Sequence, residues 1–168
     1  VPEDLEAYPA YRPVYISQME GLYTVKSVYE EVPLRAAGKI YYKDYGNFEY
    51  VFINDPGEGV HIFDNTNPRT PKKIGFIQIP GVEDIAIKDN IMVANNIDDL
   101  ITIDIRKPNS IKVINRIKNY RHPDQPSKMQ QMQQHPLQTQ VRFECPDTSK
   151  GYIIGWKRDS LENPKCFR

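Results

Sequence analysis

The chain has 168 residues, 22 basic and 22 acidic side chains, a formal net charge of zero, and a composition 39% hydrophobic and 11% aromatic. This supports one domain with a sizeable core and argues against wholesale disorder. No apolar run approaches the roughly 20 residues of a membrane-crossing helix. Charge is spread as 3 basic and 6 acidic residues over 1–37, 11 of each over 38–119, and 8 basic and 5 acidic over 120–168. Without a Lys/Arg cluster, no nucleic-acid partner is expected.

Residues 1–37 read as an N-terminal extended segment or tether. Pro2, Pro9 and Pro13 argue against helix or central strand there, so a segment laid over another surface is expected, anchored by Tyr8, Tyr11 and Tyr15. Ile16, Met19, Leu22, Val25, Val28 and Val32 recur every three or four positions, which predicts a short amphipathic helix from about Ser17 to Glu30.

Residues 38–119 contain an echo of about 40 residues. Val51 to Ile77 (VFINDPGEGVHIFDNTNPRTPKKIGFI) aligns without a gap on Ile91 to Ile117 (IMVANNIDDLITIDIRKPNSIKVINRI). Ile53 falls on Val93, Val60 on Leu100, Phe63 on Ile103, Asp64 on Asp104 and Pro68 on Pro108. Strands are expected at Lys39–Lys43, Glu49–Asn54, Val60–Asp64 and Lys73–Ile79. A second set is expected at Val82–Lys88, Ile91–Ala94, Leu100–Ile105 and Lys112–Ile117. Pro56-Gly57, Asn67-Pro68 and Asp89-Asn90 mark turns. Asp64 and Asp104 end strands where a carboxylate can accept nearby backbone N–H groups. A short-strand repeat of this period is the signature of a propeller blade, and two blades cannot close a ring that needs at least four. The expected fold is all-β: two propeller-blade-like antiparallel four-stranded sheets with extended terminal segments, not a closed propeller by itself.

Residues 120–140, with seven Gln and three Pro, read as a loop. Residues 141–168 return to short strands in VRFEC and GYIIGW and end in a tail. Cys145 and Cys166 lie 21 positions apart. A disulfide is favoured over two buried thiols; it would stabilise by roughly 3 kcal/mol and place the protein in an oxidising compartment.

The residue types needed for catalysis are poorly arranged. His61 sits between Val60 and Ile62 and, if those face the core, faces solvent or a blade edge; its counterpart is Ile101. His122 and His135 flank prolines, and as zinc ligands they would need a third partner such as Asp124 or His61. Asp55, Glu58, Asp98 and Asp99 occupy equivalent turns and form an acidic rim without a calcium-loop pattern. No serine lies in a G-x-S-x-G setting, and Asp55 to Gly59 is a turn rather than a phosphate loop. No catalytic, metal-binding or cofactor-binding residue is assigned and no cofactor is expected. Aromatic residues crowd the first repeat, and those left outside the core suit an interface. The contact residues singled out are Tyr8, Tyr11, Tyr15, Phe48 and Trp156.

The repeats resemble the LVIVD repeats of surface and outer-membrane lipoproteins of the Bacteroidetes group. The resemblance is carried by the stretch from YVFINDPGEGVHIFD to DDLITIDI, followed by KVINRIKN; LITIDI at 100–105 stands at the name motif and VHIFD at 60–64 is its counterpart. GYIIGW and NPKC are similar to the closing segment of such proteins. The resemblance implies a propeller-like fold without established catalytic residues, and export as a lipoprotein with a lipid anchor upstream of Val1. The expected function is therefore that of a non-enzymatic cell-envelope protein, an outer-membrane lipoprotein acting as accessory or scaffolding subunit of a larger assembly. Its expected partners are other envelope or outer-membrane proteins, or further copies of itself. The alternative is a glycan- or ligand-binding surface module in which Trp156 and exposed tyrosines stack on sugar rings.

Overall fold

A computed structural model describes residues 7–16 and 19–168. The fold is all-β, with three sheets in which all strand pairs but one are antiparallel, and it is not closed into a propeller. The strands are β1 (Ala7–Ile16), β2 (Lys26–Val28), β3 (Ile40–Asp44), β4 (Glu49–Asp55), β5 (Gly59–Asp64), β6 (Lys72–Gln78), β7 (Ile85–Lys88), β8 (Ile91–Asn96), β9 (Asp99–Asp104), β10 (Lys112–Ile117), β11 (Arg142–Phe143), β12 (Tyr152–Glu162) and β13 (Cys166–Phe167). One helix, α1, spans Lys128–Met132. The chain divides into two compact units. One is Glu20–Arg121; the other joins His122–Arg168 to β1.

In the first of these units the repeat forms two up-and-down meanders. The first sheet has the order β2-β6-β5-β4-β3 and the second β10-β9-β8-β7. Alternation along the strands sends Tyr41, Phe52, Val60, Ile62 and Ile77 of the first sheet into a shared core. Ile85, Met92, Ala94, Ile101 and Ile103 of the second meet them there. Tyr41 donates its hydroxyl to Ile85 O at 2.8 Å, and Tyr45 donates to Ile105 O at 2.7 Å. Burial, with Tyr50 and Asp104 adding to it, pushes the Tyr45 phenol well above its ordinary pKa, which keeps that donor protonated.

The two sheets repeat closely at their ends. Asp64 accepts from Thr66 N–H and Asp104 from Arg106 N–H, both at 2.9 Å. The last strand of each meander carries a bulge at the same place, Ile74 in β6 and Ile114 in β10. The ungapped alignment nevertheless slips by one residue in the second strand. The β4–β5 turn has three residues between Asp55 and Gly59, whereas the β8–β9 turn has two between Asn96 and Asp99. The counterpart of Ile53 is therefore Ala94, and that of Asp55 is Asn96. Gly59 tolerates no side chain, because a Cβ there would run into Ile77 O and its φ is +154°.

The helix expected from Ser17 to Glu30 does not form over the described part of that span. A 3₁₀ turn at Met19–Tyr23 is followed by β2, which pairs with β6, the last strand of the first meander. The unpaired N–H and C=O groups of that sheet edge hold it extended, where Thr24, Val25 and Val28 are already β-favouring.

In the other unit the sheet order is β12-β1-β11-β13. β1 pairs with β12 from Ala7↔Glu162 to Ile16↔Tyr152 despite Pro9 and Pro13. Tyr11 O accepts from Glu144 N–H on the β11 side. By alternation, residues 9, 11 and 13 all direct their backbone away from β12, so the prolines remove no bond from that ladder. Part of the Gln-rich stretch is structured as α1. Ser127 and Gln130 form its reciprocal N-terminal cap, each side chain accepting the other's backbone N–H. Gln133 then seals Ile153, accepting its N–H at 2.9 Å and donating to its carbonyl at 2.8 Å. Cys145 and Cys166 form a disulfide with Cα atoms 5.3 Å apart, as the sequence suggested.

Candidate functional site

The contact residues picked from sequence have separate fates. Trp156 donates its indole N–H to Met132 O at 2.9 Å and meets Phe143 edge-on at 5.4 Å. Tyr15 accepts Asp147 N–H at 2.8 Å, Tyr8 lies under the Arg142 guanidinium, and Tyr11 is half-buried opposite Arg158. These four are internal to the unit of β1 and β11–β13. Trp156 is half-buried. Phe48 is exposed in the other unit, stacked on Tyr50 with ring centroids 6.1 Å apart.

The acidic turn residues are engaged by the fold. Asp99 accepts from Arg116 at 2.8 Å and from Asn119 N–H at 3.1 Å. The same guanidinium donates to Asn96 Oδ1 and to Tyr23 O, while Asn96 donates to Leu22 O and Pro80 O. This network ties the 22–28 segment to the second sheet. Glu58 pairs with Arg35 at 3.4 Å on the surface. Among the described residues no three His, Cys, Asp or Glu side chains are grouped to hold a metal ion.

His61 departs from its sequence reading. Val60 and Ile62 do face the core and His61 the opposite side, but it is completely buried. Residues 32–36 cross that side as a strap: Arg35 and Ala36 donate their N–H groups to Asp55, and Lys73 donates to Val32 O. His61 Nε2 lies 2.8 Å from Asp55 Oδ2, with Phe76 against its ring. Burial pushes the Asp55 carboxyl up, but Arg35 N–H, His61 and Ala36 N–H together hold it below the usual carboxylate range. Burial lowers the His61 pKa, and Lys73 adds to this against the pull of Asp55 and Glu58. A neutral imidazole therefore donates from Nε2 to a carboxylate, leaving Nδ1 with no partner. A carboxylate–imidazole pair is a familiar acid–base unit, but with both side chains sealed its work here is to fasten the strap.

What the sequence did not single out is the rest of that face. Opposite the core, the first sheet presents Ile40, Tyr42, Val51, Ile53 and Phe63. Register assigns their counterparts as Ile85, Ile87, Met92, Ala94 and Ile103, which are core residues of the second sheet. Ile85 is 3% exposed, whereas Ile40 is 65% and Tyr42 58% exposed. The strap covers the half near β6 and leaves the half near β3 open. The second sheet has its own outer face of Ala86, Val93, Leu100, Thr102 and Ile117, with Ile117 50% exposed. A cavity of about 230 Å³ borders Ala86, Val93, Leu100 and Tyr120 there. A larger one of about 590 Å³, in the other unit, is lined by Arg12, Glu144 and the turn after Ser160. Arg12 is already paired with Glu144 and Asp159. The apolar faces, rather than the charged cavity, form the candidate site. Set against known protein families, curated proteins and solved structures, the chain matches none.

Proposed function

We propose that this chain is a non-enzymatic cell-envelope protein, an outer-membrane lipoprotein serving as accessory or scaffolding subunit of a larger membrane-associated assembly. Its two repeated sheets are read as neighbouring blades of the propeller type, extending the resemblance to LVIVD repeats. One observation supports a contact function above the rest: Ile40 is exposed where its sister residue Ile85 is buried. An apolar sheet face that its own repeat covers in the next sheet is a surface suited to a protein partner. The disulfide supports an oxidising compartment. The test is gentle extraction of the native protein from envelope membranes, sizing, and identification of co-purifying chains. A stoichiometric complex that loses its partner on Ile40→Glu supports the proposal. A protein that stays in the soluble cytoplasmic fraction, alone, overturns it.

A further inference from the structure

The unsatisfied faces of the repeat unit are two, and they are of complementary kinds. Inside the molecule, the core face of the first sheet packs on the strand face of the second that carries Ile85, Met92, Ala94, Ile101 and Ile103. Left over are the first sheet's outer face, which is the same kind as this last one, and the second sheet's outer face, which is the same kind as the first sheet's core face. Laying the second against the first repeats an interface the molecule already contains.

The side-chain volumes fit that pairing. On the second sheet's outer face three large anchors have shrunk relative to their sisters: Ala86 replaces Tyr41, Val93 replaces Phe52 and Thr102 replaces Ile62, whereas Leu100 replaces the smaller Val60 and Ile117 matches Ile77. On the first sheet's outer face three residues have grown: Tyr42 replaces Ile87, Ile53 replaces Ala94 and Phe63 replaces Ile103, whereas Ile40 matches Ile85 and Val51 replaces the larger Met92. Around Ala86 and Val93 on one face and Tyr42 and Ile53 on the other, bulk removed from one reappears on the other, in keeping with volume-conserving packing. The charges agree as well. Lys39 and Asp84 occupy sister positions at the start of the inner strands β3 and β7 and already pair at 2.6 Å. Alternating the two sheets around a ring keeps an acid beside a base at each junction.

We infer that the outer face of the first sheet receives the outer face of the second sheet of another copy of this chain. Done reciprocally, two copies close a ring of four sheets, the smallest number usual for a propeller. This deepens the contact function proposed above and rests on it. Because the strap occupies the β6 side, contact falls on β3–β4 of one copy and β7–β8 of the other: Ile40, Tyr42 and Ile53 against Ala86 and Val93. Each junction joins unlike faces, and the two junctions are related by a two-fold axis.

The test is sedimentation of the full disulfide-bonded chain over a concentration series. The wild type is expected to reach twice its monomer mass. Ile40→Glu and Ala86→Glu should each weaken the dimer by about a hundredfold or more. An equimolar mixture of those two variants should regain association, because it restores one intact junction. Tyr42→Lys replaces Ile40→Glu if the latter fails to unfold cooperatively. A monomeric wild type overturns the inference, as does loss of dimer in Ile40→Glu with no effect of Ala86→Glu, or a mixture that stays monomeric. If the wild type is monomeric but native complexes lose a different envelope chain on Ile40→Glu, self-assembly falls and the scaffold function stands. If neither assembly is seen, both fall.

Discussion

Asp55 and Asn96 occupy the same position in sister strands and perform complementary work on the chain entering each sheet. The Asp55 carboxylate accepts the N–H groups of Arg35 and Ala36 ahead of β3. The Asn96 amide donates to Pro80 O ahead of β7. A carboxylate can only accept, so Asp55 suits a strap that offers donors, and it gains the His61 ring as a third donor. Asp55→Ala should destabilise the protein by about 2 kcal/mol, because the buried His61 ring and two part-buried N–H groups lose their acceptor together. Urea titration measures the loss, and hydrogen exchange should show the Arg35 and Ala36 amides exchanging fastest. An unchanged midpoint would mean that the strap is held by something else.

The same pair gives stability a pH dependence of definite sign. His61 has a folded pKa below its ordinary 6.5, so the unfolded chain takes up a proton first as pH falls. Its contribution is complete above about pH 6.5 and is lost progressively as pH falls toward its folded pKa. Asp55, also lowered, loses its contribution further down, below its ordinary 3.8. Unfolding free energy should therefore decline from pH 7.5 to pH 5. Replacing His61 by its counterpart residue, His61→Ile, should flatten that window. A stability that rises on acidification would contradict the neutral imidazole.

The strands of the repeat were legible because alternating apolar residues and turn prolines fix both their length and their ends. Their faces were less so. A one-residue difference between the β4–β5 and β8–β9 turns matched Ile53 to Val93, and with a period of two that slip moves a side chain to the opposite face. The open face at Ile40 and Tyr42 was hidden behind it. Pro9 and Pro13 misled for a related reason: their cost depends on which side of the strand lacks the N–H, which only the pairing partner reveals. His61 was rightly turned from the core. Nothing local in the sequence announces that residues 32–36 return to cover it.

Arg116 holds the 22–28 segment through Tyr23 O while pairing with Asp99 and Asn96. Arg116→Met keeps the stem but strands Asp99 with Asn119 N–H, one donor where there were two. The expected cost is about 2 kcal/mol. Because β2 follows directly, exchange protection at Lys26–Val28 should fall more than at β8 or β9. Equal loss across all three strands would point to global rather than local weakening.

Reduction of Cys145–Cys166 should cost about 3 kcal/mol in the chain-entropy picture for a separation of 21 residues. The bond joins the segment just after β11 to β13, so the effect should be confined to the unit containing β1 and β11–β13. Intrinsic fluorescence of Trp156, which packs on Phe143 of β11, should report that transition. The repeat unit, followed by the far-UV signal that remains, should unfold at an unchanged midpoint. A shift of both transitions would show that the two units unfold as one.

Asn115 and Gly75 explain how two similar sheet edges are kept from sticking. Ile79 N–H reaches Glu58 O across the β5–β6 hairpin, so by alternation Phe76 directs its backbone outward, to β2. The counterpart of Phe76 is Arg116, on the edge strand β10, which no other strand among the described residues covers. There the Arg116 N–H is taken by the Asn115 side chain at 2.9 Å, while the matching position in the covered sheet is glycine. Asn115 thus acts as an edge guard, a role otherwise filled by charges and bulges. Asn115→Gly should cost about 1 kcal/mol or less in stability yet raise concentration-dependent light scattering on mild heating. Gly75→Asn should not: its Cβ meets Asn109 Oδ1 at 3.1 Å, so it should lower the melting temperature without promoting association. Equal scattering from wild type and Asn115→Gly would show that the bulge at Ile114 alone protects the edge.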